Sequence, residues 1–423
     1  MTPQIKQRID QIRRGEVPEG YKRTKVGIVP KEWEEGFLGN YIQEYKELSN
    51  DIEKYPVYSS SRQGLIPQSQ YYDNREAVET NLGYKIVPNG YVTYRHMSDD
   101  DVFHFNVNNT GGEIFVSSEY PVFSSTEKSS LGYIIPMLND TAHFRYFCRT
   151  QKMGGTRTRL YYKNLCTYKS VYPPLAEQEK IAGILSAQDK LIALKEKLIK
   201  EKKRQKKALM QLLLTGKKRL PGFSGEWKKQ KMSDILCERK EENKDQSLRI
   251  CSVAVNSGVV DQREHLGKSM AASDTSNYNV VHYGDIVYTK SPTGAFPYGI
   301  VKQSQLTENV AVSPLYGVYE PTSYEIGYLL NEYFMYSNNA NGYLLPIINK
   351  GAKNTINISN ATFITPSLYL PTNFEEIKKL VQIFKVANKE IEILQKDLDQ
   401  EKQKKKALMQ LLLTGIVRVE VNE

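Results

Sequence analysis

Two long segments of this chain space their apolar residues as amphipathic helices do. In both, apolar residues recur at steps of three, four and seven among charged ones. In the first segment the seam positions are Ile181, Leu185, Ile192 and Ile199, with Leu191, Leu194 and Leu198 widening the stripe. In the second segment the seam positions are Ile377, Leu380, Phe384, Ala387, Ile391, Leu394 and Leu398. The spacing predicts two helices of about 40 residues, and neither can bury its stripe alone.

Local signals mark where each helix begins and ends. The pair Pro173-Pro174 stands at the start of the first helix, where proline is tolerated. Thr372 and Glu375 have capping-box spacing at the start of the second. A glycine follows the last apolar residue of both helices. We expect the helices to pack on each other as an antiparallel intramolecular coiled coil; a dimerisation coiled coil is the alternative.

The stretches before each helix have the composition of strands and turns. Short runs of β-branched and aromatic residues alternate with turns of Gly, Asn, Ser and Pro. The candidate strands are residues 91–94, 102–107 and 113–116 in the first stretch and residues 285–289, 298–302 and 309–313 in the second. The 29 tyrosines suit half-buried strands better than a helical bundle. The predicted fold class is α+β, with two strand-rich domains joined by the two helices.

An internal repeat is the main finding in the sequence. Residues 206–216 read KKALMQLLLTG, and residues 405–415 read the same eleven letters 199 positions later. Both tryptophans follow a glutamate, as Glu32-Trp33 and Glu226-Trp227. The sequences between these landmarks have diverged. The chain is therefore predicted to be a pseudo-twofold internal repeat, in which two copies share a scaffold and differ in specificity.

Charge and cysteine content narrow the class of protein. The chain has 58 Lys and Arg against 48 Asp and Glu, and this net charge of +10 permits nucleic-acid binding. Cys148, Cys166, Cys237 and Cys251 lack the close spacing of a metal or redox site. No apolar run approaches the roughly 20 residues that span a bilayer, and the first fourteen residues lack a signal-peptide core. We expect a cytoplasmic protein with reduced thiols and no metal.

Basic and hydrogen-bonding residues stand in the predicted loops beside the strands. Arginine and lysine can bind guanine edges or phosphates, and asparagine can pair with adenine. The candidates for DNA contact are Arg62, Arg95, His96, Gly155, Thr156, Arg157 and Arg159 in the first copy and Lys290, Lys350, Lys353 and Asn354 in the second. The basic loop at 154–159 is the best single candidate, and an ordinary solvated charge is the alternative for each. The charged run at 194–207 is interpreted as a solvated helix face.

The motifs of an enzyme are missing from the sequence. Residues 172–175, YPPL, come nearest to the Asn/Asp-Pro-Pro-Tyr/Phe motif of adenine methyltransferases but lack its polar first residue. The sequence contains no G-x-x-x-x-G-K-[ST] phosphate loop and no His-Glu-x-x-His zinc motif. We therefore expect a chain that catalyses nothing itself. A coiled-coil adaptor that binds only protein is the alternative to a DNA-binding protein.

The order and duplication of these features resemble the specificity subunits of Type I restriction–modification systems. Residues 173–181, PPLAEQEKI, are similar to the PPL-x-EQ-x-x-I helix start of that family. The LLLTG helix ends, the Glu-Trp pairs, residues 284–287 (GDIV) and residues 55–60 (YPVYSS) match further family features. Residues 371–376, PTNFEE, depart from the pattern because they lack the Glu-Gln pair, and residues 89–91, NGY, stand where Gly-Asp is expected.

The resemblance implies a division of the chain and a mechanism. The implied segments are an N-terminal extension (1–23), two target-recognition domains (24–172 and 217–371), two conserved helices (173–216 and 372–415) and a C-terminal tail (416–423). Each recognition domain would read one half of a bipartite DNA site, and the coiled coil would fix the spacer between the halves.

The resemblance also implies partners. These are double-stranded DNA, two methyltransferase subunits and motor–nuclease subunits, with no membrane. No cofactor is expected on this chain, since S-adenosylmethionine, ATP and Mg would bind to the partners. A related system that uses a similar subunit with a different nuclease is an alternative.

Overall fold

The computed structural model of the chain describes residues 2–51, 53–68, 83–152, 156–267, 271–350 and 356–419. The chain divides into two compact units. Unit 1 comprises Met1–Glu196 and Asp397–Glu423, and unit 2 comprises Lys197–Lys396. The first long helix, Leu175–Leu213, and the second, Phe374–Leu412, therefore each begin in one unit and end in the other. The α+β fold class is confirmed.

Among its described residues, unit 1 has two antiparallel sheets and four two-stranded antiparallel pairs. The four-stranded sheet has the order Phe105–Val107, Val92–Tyr94, Val122–Ser125, Ile42–Glu44, and the three-stranded sheet has the order Ile114–Ser117, Tyr84–Val87, Leu48–Ser49. The pairs are Tyr21–Arg23 with Ile28–Pro30, Glu34–Phe37 with Lys169–Tyr172, Tyr58–Ser61 with Gly64–Pro67, and Met97–Ser98 with Thr158–Arg159. The shorter helices are Pro3–Arg13, Leu131–Asp140, Ala142–Thr150 and Tyr162–Leu165, with a 3-10 turn at Leu38–Asn40.

The described part of unit 2 contains two four-stranded sheets. One has the order Leu236–Glu238, Gly317–Pro321, Ile286–Thr289, Ile300–Gln303, and the other has the order Gly258–Asp261, Ile250–Ala254, Val310–Val312, Asn279–Val281. Within the second sheet, Ile250–Ala254 pairs in parallel with Val310–Val312. The remaining pairs are Lys228–Lys231 with Ser367–Leu370 and Asn349–Lys350 with Ile356–Asn357. The shorter helices are Gln262–Leu266, Tyr324–Phe334, Ser337–Leu344 and Asn360–Phe363, with 3-10 turns at Met232–Asp234 and Leu345–Ile347.

The six strands predicted from composition all appear, and most of them are shorter than predicted. The segment 102–107, for example, forms a strand only at Phe105–Val107. Val102 instead takes part in the turn that precedes it, where its amide donates to the Ser98 hydroxyl at 3.1 Å. A residue whose backbone amide bonds to a side chain in a turn does not join the hydrogen-bond ladder of the sheet. Composition therefore overstates the length of the strand.

The repeated eleven residues end both helices inside a core. In unit 2 the buried residues are Met210, Leu213 and Leu214, and in unit 1 they are the matching Met409, Leu412 and Leu413. Unit 1 is thus completed by the end of the second helix, and unit 2 by the end of the first. Both helix ends fill equivalent positions in equivalent cores, which explains why their eleven residues are identical.

Within each unit the two helix segments run antiparallel. In unit 1, Lys405 Nζ lies 2.6 Å from Asp189 Oδ1, and Lys195 contacts Asp397. In unit 2, Lys202 Nζ lies 2.5 Å from Glu390 Oε1, and Lys206 contacts Asn388. One helix ascends in residue number as the other descends, which confirms the predicted antiparallel packing in each unit.

The buried apolar strip of each long helix is narrower in the structure than the stripe that the sequence predicts. Ile181, Leu185 and Ile199 are buried on the first helix, as are Ile377, Leu380, Phe384 and Leu398 on the second. The seam positions Ile192, Ala387, Ile391 and Leu394 are half-buried. The residues expected to widen the stripe differ, since Leu194 is 65% exposed and Leu191 and Leu198 also face solvent. A two-helix seam covers only about one apolar strip of each helix, so a wider stripe has nothing to pack against.

The cap of the second long helix is one residue later than predicted. Asn373 Oδ1 accepts hydrogen bonds from the amides of Glu375 at 2.9 Å and Glu376 at 3.3 Å. Thr372 instead donates to the Glu226 carbonyl at 3.5 Å. The capping-box prediction at Thr372 was therefore wrong. A cap must reach the second and third amides of the helix, and the helix begins at Phe374.

Of the two residues considered as the cap, only Asn373 should affect stability when it is replaced. We expect Asn373→Ala to lower the free energy of unfolding by about 1 kcal/mol, because two amides lose their acceptor. Thr372→Ala is the control and should change it by less than about 0.5 kcal/mol. Hydrogen exchange in the peptides of unit 2, measured by mass spectrometry, follows both variants, and an equal loss in the two would contradict this assignment of the cap.

Among the described residues, no helix has the length and apolar content needed to cross a bilayer.

Candidate nucleic-acid interface

A polar cleft of about 660 Å³ opens in unit 1. One wall is the hairpin Tyr58–Ser61 with Gly64–Pro67, and the other includes the loop that follows strand Val92–Tyr94. Arg62 and Arg95 both line the cleft. Two of the predicted DNA contacts, distant in sequence, are therefore brought to one concave surface.

The arginines of the cleft differ in how they are held. Arg62 forms a hydrogen-bonded ion pair with Asp100, and this arginine is the main reason why the pKa of the Asp100 carboxyl lies below its usual value. Arg95 is exposed and has no ion-pair partner in the described part of the chain. Exposed ion pairs contribute about 0–1 kcal/mol, so Arg62 can exchange Asp100 for another anion at little cost.

The described part of the predicted basic loop, residues 156–159, lies beside the same cleft. Strand Thr158–Arg159 pairs with strand Met97–Ser98, both residues of which line the cleft. Arg157 Nε donates to Asp99 Oδ1 at 2.7 Å, and Thr156 and Arg159 are exposed. Arg159 lies on a strand and not in a loop as expected. Gly155 lies outside the described residues.

A buried cluster of charged and aromatic side chains lies at the start of each long helix. In unit 1, Glu177 is 1% exposed and accepts hydrogen bonds from Trp33 Nε1 at 3.1 Å and from Arg418 Nε and Nη2 at 2.7 and 2.9 Å. Burying a carboxylate is tolerated only when it is paired in this way. We call Glu177, Trp33 and Arg418 the first Glu-Trp-Arg cluster.

Unit 2 repeats the cluster. Glu376, also 1% exposed, accepts from Arg219 Nε and Nη2, both at 2.8 Å, and from Trp227 Nε1 at 3.3 Å. Arg219 and Arg418 each stand three positions after the glycine of the repeated eleven residues. That offset was the sequence signal for these arginines, and the sequence analysis missed it. Because Glu376 is the equivalent of Glu177, Ile377 stands at the position of Gln178, so the second copy keeps the glutamate of the Glu-Gln pair and lacks its glutamine.

Comparisons with known proteins agree with this architecture. The family model described as "Type I restriction modification DNA specificity domain" matches residues 30–204. Over that segment the chain is similar to the specificity subunits of Type I restriction–modification systems. A putative type I restriction enzyme specificity subunit of Methanocaldococcus jannaschii is 24% identical over 217 residues, which are 47% of this chain and 49% of that protein. The chain thus matches about half the length of this curated relative.

Two solved structures share the fold of this chain. The S subunit of a Type I restriction–modification system from M. genitalium matches with a TM-score of 0.54 and 11% identity, over 92% of this chain and 96% of that one. A chain from a structure concerned with complex assembly and conformational transition of the type I R-M system matches with a TM-score of 0.50 and 12% identity, over 92% and 99%. At such identities the likeness shows the fold alone.

His96 does not lie where a loop histidine was expected. Its ring is 4% exposed and stacks on Tyr161, with ring centroids 5.4 Å apart. Burial is the main cause that lowers the pKa of the imidazole, although Glu119 lies 3.8 Å from Nε2. The neutral ring is therefore favoured, and His96 supports Tyr161 and the neighbouring loop more than it faces the cleft.

The candidate DNA-contact residues of unit 2 are not brought together in the same way. Lys290 follows strand Ile286–Thr289 and is half-buried, and this burial lowers the pKa of its ammonium. Lys350 ends strand Asn349–Lys350. Lys353 and Asn354 lie outside the described residues. The cleft of unit 1 is therefore the better-defined candidate interface.

Proposed function

We propose that this chain selects the DNA sequence on which a Type I restriction–modification complex acts. The observation that carries the proposal is the arginine-bearing cleft of unit 1, in a chain whose two units share one framework. Each unit would read one half of a bipartite site in double-stranded DNA. The two long helices, each of which begins in one unit and ends in the other, would set the spacer.

In this proposal the cleft reads bases through arginine. Arg95 is free to approach a guanine edge, where its planar fork can donate to O6 and N7 together. Arg62 and Arg157, each held against a carboxylate, would exchange Asp100 and Asp99 for phosphates. Acidic partners keep these guanidinium groups in place before DNA arrives, which reduces the ordering cost of binding.

We further propose that the chain catalyses no reaction and works through partners. Two methyltransferase subunits would methylate adenine after flipping it from the stack, and motor–nuclease subunits would cut. S-adenosylmethionine, ATP and Mg would be bound by those partners and not by this chain. The complex would act on DNA in the cytoplasm.

Mapping methylated adenines tests this function directly. The chain is co-expressed with the methyltransferase encoded beside it, and methylation of the host DNA is compared with and without the chain. A bipartite motif with a fixed gap, present only with the chain, supports the proposal. Methylation whose motif does not depend on the chain would overturn it and favour a protein-binding adaptor.

Arg95 is expected to determine part of one half-site. Arg95→Ala should weaken binding to the cognate duplex by about 1–3 kcal/mol and relax specificity at one position of one half-site. Fluorescence anisotropy with a panel of single-substituted duplexes measures both effects. Arg204→Ala, which removes an exposed arginine paired with Glu201 on the first long helix, is the control. Equal losses of affinity in the two variants, or unchanged specificity in Arg95→Ala, would show that Arg95 is not part of the recognition surface.

A further inference from the structure

The hairpin that forms one wall of the unit 1 cleft ends in a tip of two residues. The last pair of its two strands is Ser61 with Gly64, so Arg62 and Gln63 form the tip. Gly64 has a φ of +111°, a backbone conformation that favours glycine at this reversal of the chain. Both tip residues are exposed, and both line the cleft. We call residues 58–67 the cleft hairpin.

Buried hydrogen bonds attach the cleft hairpin to the body of unit 1. The side chain of Asn106, which is 7% exposed, donates through Nδ2 to Ser60 Oγ at 2.8 Å and to the Ser61 carbonyl at 2.9 Å. The Ser60 hydroxyl in turn donates to the Thr93 carbonyl at 3.4 Å. Asn106 and Thr93 both belong to the four-stranded sheet. The hairpin is therefore held by the core of the unit, close to its tip.

Hydrogen bonds within the tip order its backbone and leave one side chain free. The Ser61 hydroxyl accepts from the Gln63 amide at 3.1 Å and donates to the Gly64 carbonyl at 2.9 Å. Arg62 is paired with Asp100. The Gln63 side chain has no hydrogen-bond partner among the residues that the structure describes. An ordered backbone thus presents a free carboxamide in the cleft, which reduces the ordering cost of binding.

We propose that the tip of the cleft hairpin enters the major groove of the half-site read by unit 1, and that Gln63 specifies an adenine there. This inference rests on the proposed function and deepens it. The major groove of DNA is wide enough for a two-stranded β-ribbon. The Oε1 atom of a glutamine can accept from adenine N6 while its Nε2 donates to N7, and adenine alone presents that combination in the groove.

The neighbours of Gln63 favour a contact with a base over a contact with phosphate. Arg62 and Arg95 line the same cleft and supply the positive charge that attracts phosphate. A neutral carboxamide adds nothing to that attraction. It carries a donor and an acceptor side by side, which suits the edge of a base. A phosphate contact by Gln63 is the other outcome of the test.

Replacement of Gln63 in the full chain, followed by mapping of methylated adenines, tests the inference. Gln63→Ala should relax one A·T position of one half-site and leave the spacer and the other half-site unchanged. In competition binding, discrimination at that position should fall roughly ten- to hundredfold. The position should lie in the half-site that Arg95→Ala also relaxes, because both side chains line one cleft.

A second substitution tests the direction of the contact. Gln63→Glu keeps the size of the side chain, but an ionised carboxylate can only accept hydrogen bonds. The preferred base at the same position should therefore shift from adenine towards cytosine, whose N4 donates in the major groove. Adenine retained as the preferred base at undiminished discrimination would contradict the bidentate contact.

Gln43→Ala is the matched control. Gln43 is exposed on strand Ile42–Glu44 of unit 1 and is not among the described residues that line the cleft, so its replacement should leave the motif unchanged. An unchanged motif in Gln63→Ala, relaxation at a G·C position, or a loss of affinity that is equal for all sequences would overturn the inference. A parent chain that confers no motif would overturn the proposed function as well, whereas a parent motif that Gln63→Ala leaves intact overturns this inference alone.

Discussion

A heptad inserted into each long helix, after Glu196 and after Lys396, is expected to lengthen the spacer between the half-sites and to leave both half-sites unchanged. The insertion points lie opposite each other, since Lys195 contacts Asp397 and Lys402 Nζ lies 2.7 Å from Glu196 Oε1. All the helix contacts within each unit are kept. Seven residues add about 10.5 Å of helix, which corresponds to at most about three base pairs.

The twist of DNA reduces this upper value. Each added base pair rotates the duplex by about 35°, whereas a heptad rotates a straight helix by only about 20° from register. We therefore expect a gain of one to three base pairs, read from the methylated motif of the co-expressed complex. Leu194→Gln with Leu198→Gln changes the exposed helix surface without changing its length and should leave the spacer unaltered. A changed half-site, or the original spacer in a folded double-insertion variant, would refute the role of the helices as a ruler.

The second large effect is expected at the buried carboxylate of unit 1. Glu177→Ala should lower the free energy of unfolding of unit 1 by about 3 kcal/mol. The substitution leaves Arg418 and the Trp33 indole without their acceptor and removes the tie between the start of the first helix and the segment after the second. Hydrogen exchange measured by mass spectrometry resolves the two units, which global unfolding of a two-unit chain does not.

The internal repeat supplies the control for this prediction. Glu376→Ala should produce the same loss in peptides of unit 2 and leave unit 1 unchanged. Glu179→Ala, on the exposed side of the first helix, should shift neither unit by more than about 0.5 kcal/mol. If the backbone amides of unit 1 exchange no faster in Glu177→Ala than in Glu179→Ala, the cluster does not stabilise the helix end. The helices are then held by their apolar seam alone.

The sequence was most informative where it repeats. The eleven identical residues predicted two equivalent helix ends, and the structure buries both in equivalent cores. Periodicity placed the two helices to within a few residues, because a helix that packs along its length has to keep one apolar strip. Composition located the six strands but not their ends.

The candidate site was predicted only in part. Arg62 and Arg95 were named from residue type, yet their shared cleft depends on a hairpin and a loop that are 33 positions apart. Asp99 and Asp100, which hold Arg157 and Arg62, were missed because acidic residues were not expected at an anion-binding surface. The exposure of His96 was wrongly predicted, since nothing in its neighbourhood in sequence shows that Tyr161 covers its ring.

The sequence by itself determined that this chain is a duplicated α+β protein with two long helices, since periodicity and repetition are local properties of a chain. Only the tertiary structure decided that the arginine after one helix pairs with the glutamate at the start of the other, as Arg219 does with Glu376 and Arg418 with Glu177. Such pairs join residues more than 150 positions apart, and they form because a buried carboxylate must find its counter-charge wherever folding brings one within reach.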